Sequence, residues 1–273
     1  MRSRTTWMYS GSYPMVLNEI HLAKRLCEGL RDSMKGLVIT PMMDPERQIN
    51  GTSVDLRLGA DFKVVKPTKY THLDPRLPKE DIKRMVARYT EEIHIPPDAA
   101  FVLHPSSFAL GSTLEHVSIP ADCCGRLEGR SGLGRMGLQV HSTAGYVDAG
   151  FSGALTLELQ NVGTLPILLF PGVRVAQISL HLCYATTKGY EERQGSYSRQ
   201  TGAGGSQAFG DVEYEKLRAR HAEVRKRQFV EAFPHDAYKE IVDLMNSKDP
   251  PPVEALWQYL ISKIGAIGEA PPA

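Results

Sequence analysis

The chain has 273 residues, 42% of them hydrophobic and 23% charged. That is the balance of an ordinary globular protein, long enough to bury roughly 70–75% of its unfolded surface. Lys and Arg number 32 against 31 Asp and Glu, a net charge of +1, which argues against a coat on a nucleic acid polymer and leaves any polyanion to a local arginine cluster.

No apolar run approaches the ~18 residues that cross a bilayer. The first thirty residues lack the continuous apolar stretch of a secretory signal. The four cysteines, Cys27, Cys123, Cys124 and Cys183, form no C-x-x-C pair. They read as reduced, mostly buried thiols of a cytoplasmic protein.

In chain order, residues 1–14 show no period and are expected to form a flexible arm. Leu17, Ile20, Leu22, Leu26 and Leu30 recur at mostly helical spacing, which predicts a first helix over 17–30. From 37 to 185 short apolar runs alternate with Pro, Gly, Asn and Asp, as in SVDLRLG, FKVVKP, FVLHP and LPILLFPG. Short strands at regular turn-punctuated spacing predict an all-β sandwich or barrel, with one inserted helix over 80–92. Residues 195–210, rich in Gly, Ser and Gln, are a linker or a lid. Residues 211–248 turn helical, Pro250 to Pro252 stop the helix, and a last short helix is expected over 253–264.

Three local motifs lack the context their chemistry needs. Gly132 to Gly137 satisfies G-x-G-x-x-G, but LQVHSTAGYVD follows it instead of a long helix. His221-Ala222-Glu223 matches the first half of a zinc-deaminase signature, yet no cysteine follows Cys183. The basic run from Arg218 to Arg227 is interspersed with Glu223 and reads as a solvated helix face.

The stretch 125–158 carries more. Arg126, Arg130, Ser131 and Arg135 stand among glycines, where backbone amides can approach an anion. Thr143 to Gly150 reads as a hairpin tip holding Asp148. In ALTLELQ, period two puts Leu155, Leu157 and Leu159 on one face and Thr156, Glu158 and Gln160 on the other. On spacing alone Glu158 is an exposed strand carboxylate, as most are.

This segment resembles the dCTP deaminase family of the dUTPase-like superfamily, and the likeness runs over about residues 15–209. The residues that carry it are QINGTSVDLRLG, FVLHPSSFALGSTLEHVSIP, GRSGLGR, the T-A-G-x-x-D-x-G-F-x-G hairpin, the L-E strand and the P-G-x-x-x-x-Q strand, in the family's order.

The resemblance implies a distorted β-barrel domain of the β-clip type over 15–194. An N-terminal helix, a Gly-rich lid or linker over 195–210 and a helical extension over 211–273 complete the organisation. It implies a homotrimer with active sites between subunits, and zinc-independent deamination of dCTP to dUTP. Glu158 is then the general base, with Ser131 and Arg135 beside it. The hairpin Thr143, Ala144, Gly145, Tyr146 reads the pyrimidine and sugar. Asp148 contacts the sugar hydroxyl and orients water for phosphate hydrolysis. Arg130, Ser131, Gln177, Tyr190 and Gln200 take the triphosphate, with Mg²⁺ carried on the phosphates and no protein metal site.

Two features bear on the outcome. Ser196 stands where the family's lid has lysine, so either Arg199 substitutes for it or phosphate binding differs. Thr-Ala-Gly-Tyr at 143–146 with Gln177 leans toward the bifunctional type, which makes dUMP and pyrophosphate. The other readings are a dUTPase, or a nucleotide-binding regulator without turnover on the same fold. No membrane or nucleic acid partner is expected.

Overall fold

The computed structural model describes residues 15–32, 36–66, 68, 71–186, 190, 201–205, 212–232, 235–246, 251 and 255. The expected arm at 1–14, lid positions Ser196, Arg199 and Gln200, and nearly all of the expected 253–264 helix lie outside these residues. Two compact units are formed, one of 1–71 with 83–207 and the other of 72–82 with 208–273.

The first unit begins with helix α1 (Glu19–Arg31), whose Asn18 cap accepts a hydrogen bond from the His21 amide at 3.1 Å. Leu17 and Leu22 are buried, whereas Ile20 and Leu30 point outward. The next elements are strand β1 (Val38–Thr40), the one-turn helix α2 (Pro45–Gln48), and strands β2 (Val54–Arg57) and β3 (Asp61–Val65). Helix α3 (Lys79–Tyr89) stops three residues short of its sequence-based end. Thr90 onward instead pairs with β3 as strand β4 (Thr90–His94). Helix propensity in Glu91 and Glu92 yields there to a ladder that the local sequence does not reveal.

Strands β5 (Phe101–Leu103), β6 (Phe108–Ser118), β7 (Cys123–Gly129), β8 (Leu138–Gln139), β9 (Tyr146–Val147), β10 (Ser152–Asn161), β11 (Ile167–Leu169) and β12 (Arg174–Leu182) follow, with the single turn α4 (Ser131–Gly134) after β7. One sheet has the order β4-β3-β6-β10-β8, with β1 also on β6. A second pairs β11 with β5, and a third has the order β2-β12-β7-β9. No ladder among the described residues closes these sheets into a ring. The all-β expectation holds for this unit, and the four-residue α4 is too short for a dinucleotide-binding helix.

One apolar core joins the sheets. Leu56, Leu58, Leu157, Leu159 and Ile178 are fully buried in it, each worth ~1.5–3 kcal/mol of transfer free energy. Phe62 stacks on Phe101 with ring centroids 4.3 Å apart. Along β10 the leucines at 155, 157 and 159 are buried while Thr156, Glu158 and Gln160 are half-buried. The register of β10 on β6 shifts between Ala154 and Thr156. The Leu155 amide there donates to Thr113 Oγ1 at 2.9 Å, and that hydroxyl donates to the Glu115 carbonyl at 2.7 Å.

In the second unit, helix α5 (Val212–Ala232) and helix α6 (His235–Met245) lie on either side of the Phe233-Pro234 step. Arg218 donates to the Pro75 carbonyl at 3.4 Å. Arg76 bonds Asp74 through its amide and guanidinium, which pulls the Asp74 carboxyl down to about 2. No helix among the described residues is long and apolar enough to cross a membrane.

Candidate active site

A cleft of about 480 Å³ opens over the polar face of β10. Glu158 and Thr156 line it from β10, Tyr146, Val147 and Asp148 from the hairpin, and Ala144 and His141 from the loop before it. Gly145 has backbone where a side chain would go. A Cβ there would lie 2.7 Å from the Leu127 carbonyl oxygen, which in this structure is the neighbour of a tight ladder contact (Leu127 amide to Gly145 carbonyl, 2.7 Å). That close approach holds the hairpin against β7. Thr143 lies in the same loop and is exposed.

Glu158 accepts a hydrogen bond from the Ser142 hydroxyl at 3.4 Å. The pairing of β8 with β10 sets Gln139 opposite Gln160. The chain leaves the ladder after Gln139, and His141 lines the same cleft as Glu158. Both ring nitrogens of His141 are buried without a hydrogen-bond partner, a state that costs ~1–3 kcal/mol. Tyr190 also lines this cleft and packs edge-on against Phe151, with centroids 5.7 Å apart. Gly204 and Gly205 also line it, and the Gly204 amide donates to Thr156 Oγ1 at 3.1 Å. Part of the expected lid thus crosses β10 two residues from Glu158.

The residues expected to take phosphate form a second cleft of about 390 Å³. Arg130, Ser131 and Gln177 line it, with Asn50 and Asp55. Asp55, only 2% exposed, is its organising group. Its Oδ2 lies 3.3 Å from Arg130 Nε and 3.1 Å from Arg174, and its Oδ1 accepts from Asn50 at 3.0 Å. Ser53 donates to Gln177 Oε1 at 3.2 Å. Asp55 is thus shared by two guanidiniums, Arg130 in the lining and Arg174 beside it, a pairing with one positive charge more than it neutralises.

Behind Asp55 lies a wholly buried acid. Glu115 accepts from Gln48 Nε2 at 3.1 Å and from the Arg57 amide at 2.8 Å, and Gln48 also donates to the Asp55 carbonyl at 3.2 Å. Burial pushes the Glu115 carboxyl above the ordinary value, against the pull of these bonds and of the Arg57 charge.

The structure therefore brings Glu158, Asp148, Ala144, Tyr146 and Tyr190 to one cleft, and Arg130, Ser131 and Gln177 to another. Arg135 is exposed at the end of α4, and neither it nor Ser131 bonds Glu158 within the chain. Tyr190 lines the cleft of Glu158 and not that of the expected phosphate residues. Sequence reasoning missed Asn50, Asp55, Arg174 and His141. Asp55 stood inside the quoted SVDLRLG stretch, and its apolar neighbours were the only signal there. Among the described residues no three His, Cys, Asp or Glu side chains gather as a metal site.

The family model described as dCTP deaminase-like matches residues 27–183. The chain belongs to this family. A dUMP-forming dCTP deaminase of Methanobrevibacter smithii is 42% identical over 183 residues, 66% of this chain and 91% of the relative. A dCTP deaminase of Natronomonas pharaonis is 40% identical over 202 residues, 73% of this chain and 98% of the relative. A solved 2′-deoxycytidine 5′-triphosphate deaminase of Agrobacterium tumefaciens aligns with a TM-score of 0.46 at 21% identity, over 66% of this chain and 52% of that one.

Proposed function

We propose that this chain deaminates dCTP and carries the product on to dUMP and pyrophosphate, working as a homotrimer in the cytoplasm. The observation that carries the reading is Glu158 on the polar face of β10, inside the cleft that the Tyr146–Asp148 hairpin walls. Family membership and the dUMP-forming activity named for relatives at up to 51% identity support it.

In this reading Glu158 takes a proton from water and the resulting hydroxide adds to C4 of cytosine while N3 gains the proton. The tetrahedral centre collapses as the amino group leaves with a proton, so dCTP and water give dUTP and ammonia. A positioned base of this kind supplies roughly 10²–10⁴-fold. Asp148 then aligns a second water on the α-phosphate, and dUTP and water give dUMP and pyrophosphate.

Arg130, Arg174, Ser131 and Gln177 hold the phosphates. Because Arg130, Ser131 and Gln177 line a different cleft from Glu158 in one chain, a neighbouring subunit supplies them, with its Ser131 and Arg135 near the base. Val102, Leu168 and Phe170 leave apolar surface exposed on the small β5–β11 sheet, as a contact between copies requires. Asp55 is already held by two arginines, so Mg²⁺ would be held by the nucleotide's phosphates, where it would offset their charge.

Incubating the protein with dCTP and Mg²⁺ and separating the products tests this. Recovery of dUMP and ammonia is the expected result. Recovery of dUTP alone removes the second step, and bound but unchanged dCTP overturns the enzyme reading.

A further inference from the structure

Cys124 and Cys183 take no part in the chemistry above, yet they share a face of the sheet that carries the Tyr146 hairpin. Strands β7 and β12 pair with Cys124 opposite His181 and Cys123 opposite Leu182. One residue further, the Cys183 amide donates to the Asp122 carbonyl at 2.9 Å. Cys183 is thus the diagonal neighbour of Cys124 on one face, and Cys123 points the other way. On the opposite side of β7, Tyr146 stands across from Arg126, again on the face of Cys124 and diagonal to it. Cys183, Cys124 and Tyr146 therefore run in a row across three strands. Cys183 is exposed, Cys124 half-buried and Cys123 buried.

Electrostatics agree with this placement. The Cys124 thiol beside it is the first cause that holds the Tyr146 hydroxyl up, to about 12. Burial raises the Cys183 thiol, and Cys124 and Asp122 add to it, so its thiolate is the minor species at neutral pH and its oxidation quickens as pH rises.

We propose that Cys124 and Cys183 form a reversible disulfide under peroxide, an oxidative modification site that slows turnover by displacing the Tyr146 hairpin. The consequence for turnover rests on the dCTP deaminase reading, whereas the bond itself does not. The exposed Cys183 thiolate attacks hydrogen peroxide, giving a sulfenic acid and, with one proton, water. Cys124 sulfur then attacks the sulfenic sulfur, forming the S–S bond and releasing a second water. Two thiols lose two electrons to one peroxide.

Diagonal strand neighbours stand ~7–8 Å apart at Cα, and a disulfide takes ~4.4–6.8 Å. Closure therefore draws Cys183 toward β7 by about an ångström. Cys183 lies just past the end of β12 and can move more freely than Cys124. Cys124 loses its place beside the Tyr146 hydroxyl when its sulfur turns to Cys183. A bond formed with such displacement is strained and reopens under a dithiol.

The test treats the full-length protein with hydrogen peroxide, blocks remaining thiols, and maps peptides by mass spectrometry beside dCTP turnover. A peptide linking Cys124 to Cys183 is expected, with turnover down at least about fivefold and restored by dithiothreitol. Cys183→Ser should keep the untreated rate and lose the response, while Cys27→Ser should behave as wild type. No linked peptide, a Cys183–Cys183 link between chains, or a linked peptide with unchanged turnover each overturns the proposal. An untreated protein inert toward dCTP would instead sink the enzymatic reading while leaving the bond to be scored by mass.

Discussion

The Ser142 hydroxyl donates to Glu158 at 3.4 Å, from the loop that follows strand β8. The bond is long, so it orients the carboxylate weakly. Glu158→Gln keeps the side chain's shape and removes its basicity. Turnover of dCTP should fall ~10²–10⁴-fold, with dCTP affinity by calorimetry little changed. A variant that turns over like wild type would remove Glu158 as the base.

Asp55→Asn strips one charge from the group that pairs Arg130 with Arg174. Each guanidinium then loses a charge-assisted bond in a half-buried site, and stability should drop by about 2–4 kcal/mol. The Michaelis constant for dCTP should rise more than kcat falls, since phosphate binding is disordered first. Urea unfolding and steady-state kinetics read the two effects, and no change in either would mean the arginines are ordered without Asp55.

Glu115 makes stability depend on pH with a definite sign. Its carboxyl is raised in the folded protein, chiefly by burial, above its usual 4.5. Between 4.5 and the raised value the folded state holds a proton that the unfolded chain has lost. Its contribution is therefore fully present below about 4.5 and is lost as pH rises through the folded value. The stability of wild type minus that of Glu115→Gln should shrink as pH climbs from about 4.5 toward neutrality. A difference independent of pH would show that Glu115 keeps its unfolded affinity for protons.

His141→Leu replaces two unpaired buried nitrogens with an apolar side chain of similar reach. The variant should be as stable as wild type or more so, by up to ~1–3 kcal/mol. Thermal unfolding measures it. A loss beyond about 1 kcal/mol would mean that the imidazole is hydrogen-bonded in solution.

Strand-level structure was legible where the chain speaks locally. Alternation in ALTLELQ gave the face of Glu158, and turn residues marked most strands. What stayed hidden depends on distant pairing. Asp55 meets Arg130 and Arg174 from residues 75 and 119 positions away, and no local period encodes such a meeting. His141 stood in plain view, but the burial of its ring nitrogens and the approach of Gly145 to its ring exist only in the folded loop. The 90–94 strand hid behind good helix formers because β3, not its own composition, decides it. The residues expected to take phosphate came from resemblance, whereas the separation of Arg130, Ser131 and Gln177 from Glu158 emerged only in three dimensions.

The irregularity at Leu155 has a consequence for chemistry that no side chain in the cleft reveals. Three successive residues, Gly153 to Leu155, are turned inward before alternation resumes, with the Thr113 hydroxyl filling the gap in the ladder. That stagger sets the phase of everything downstream. Removing one residue between 153 and 156 would rotate Glu158 among the leucines and aim a leucine into the cleft. A threonine on a neighbouring strand thereby acts as the indexing pin that keeps the Glu158 carboxylate facing the cleft.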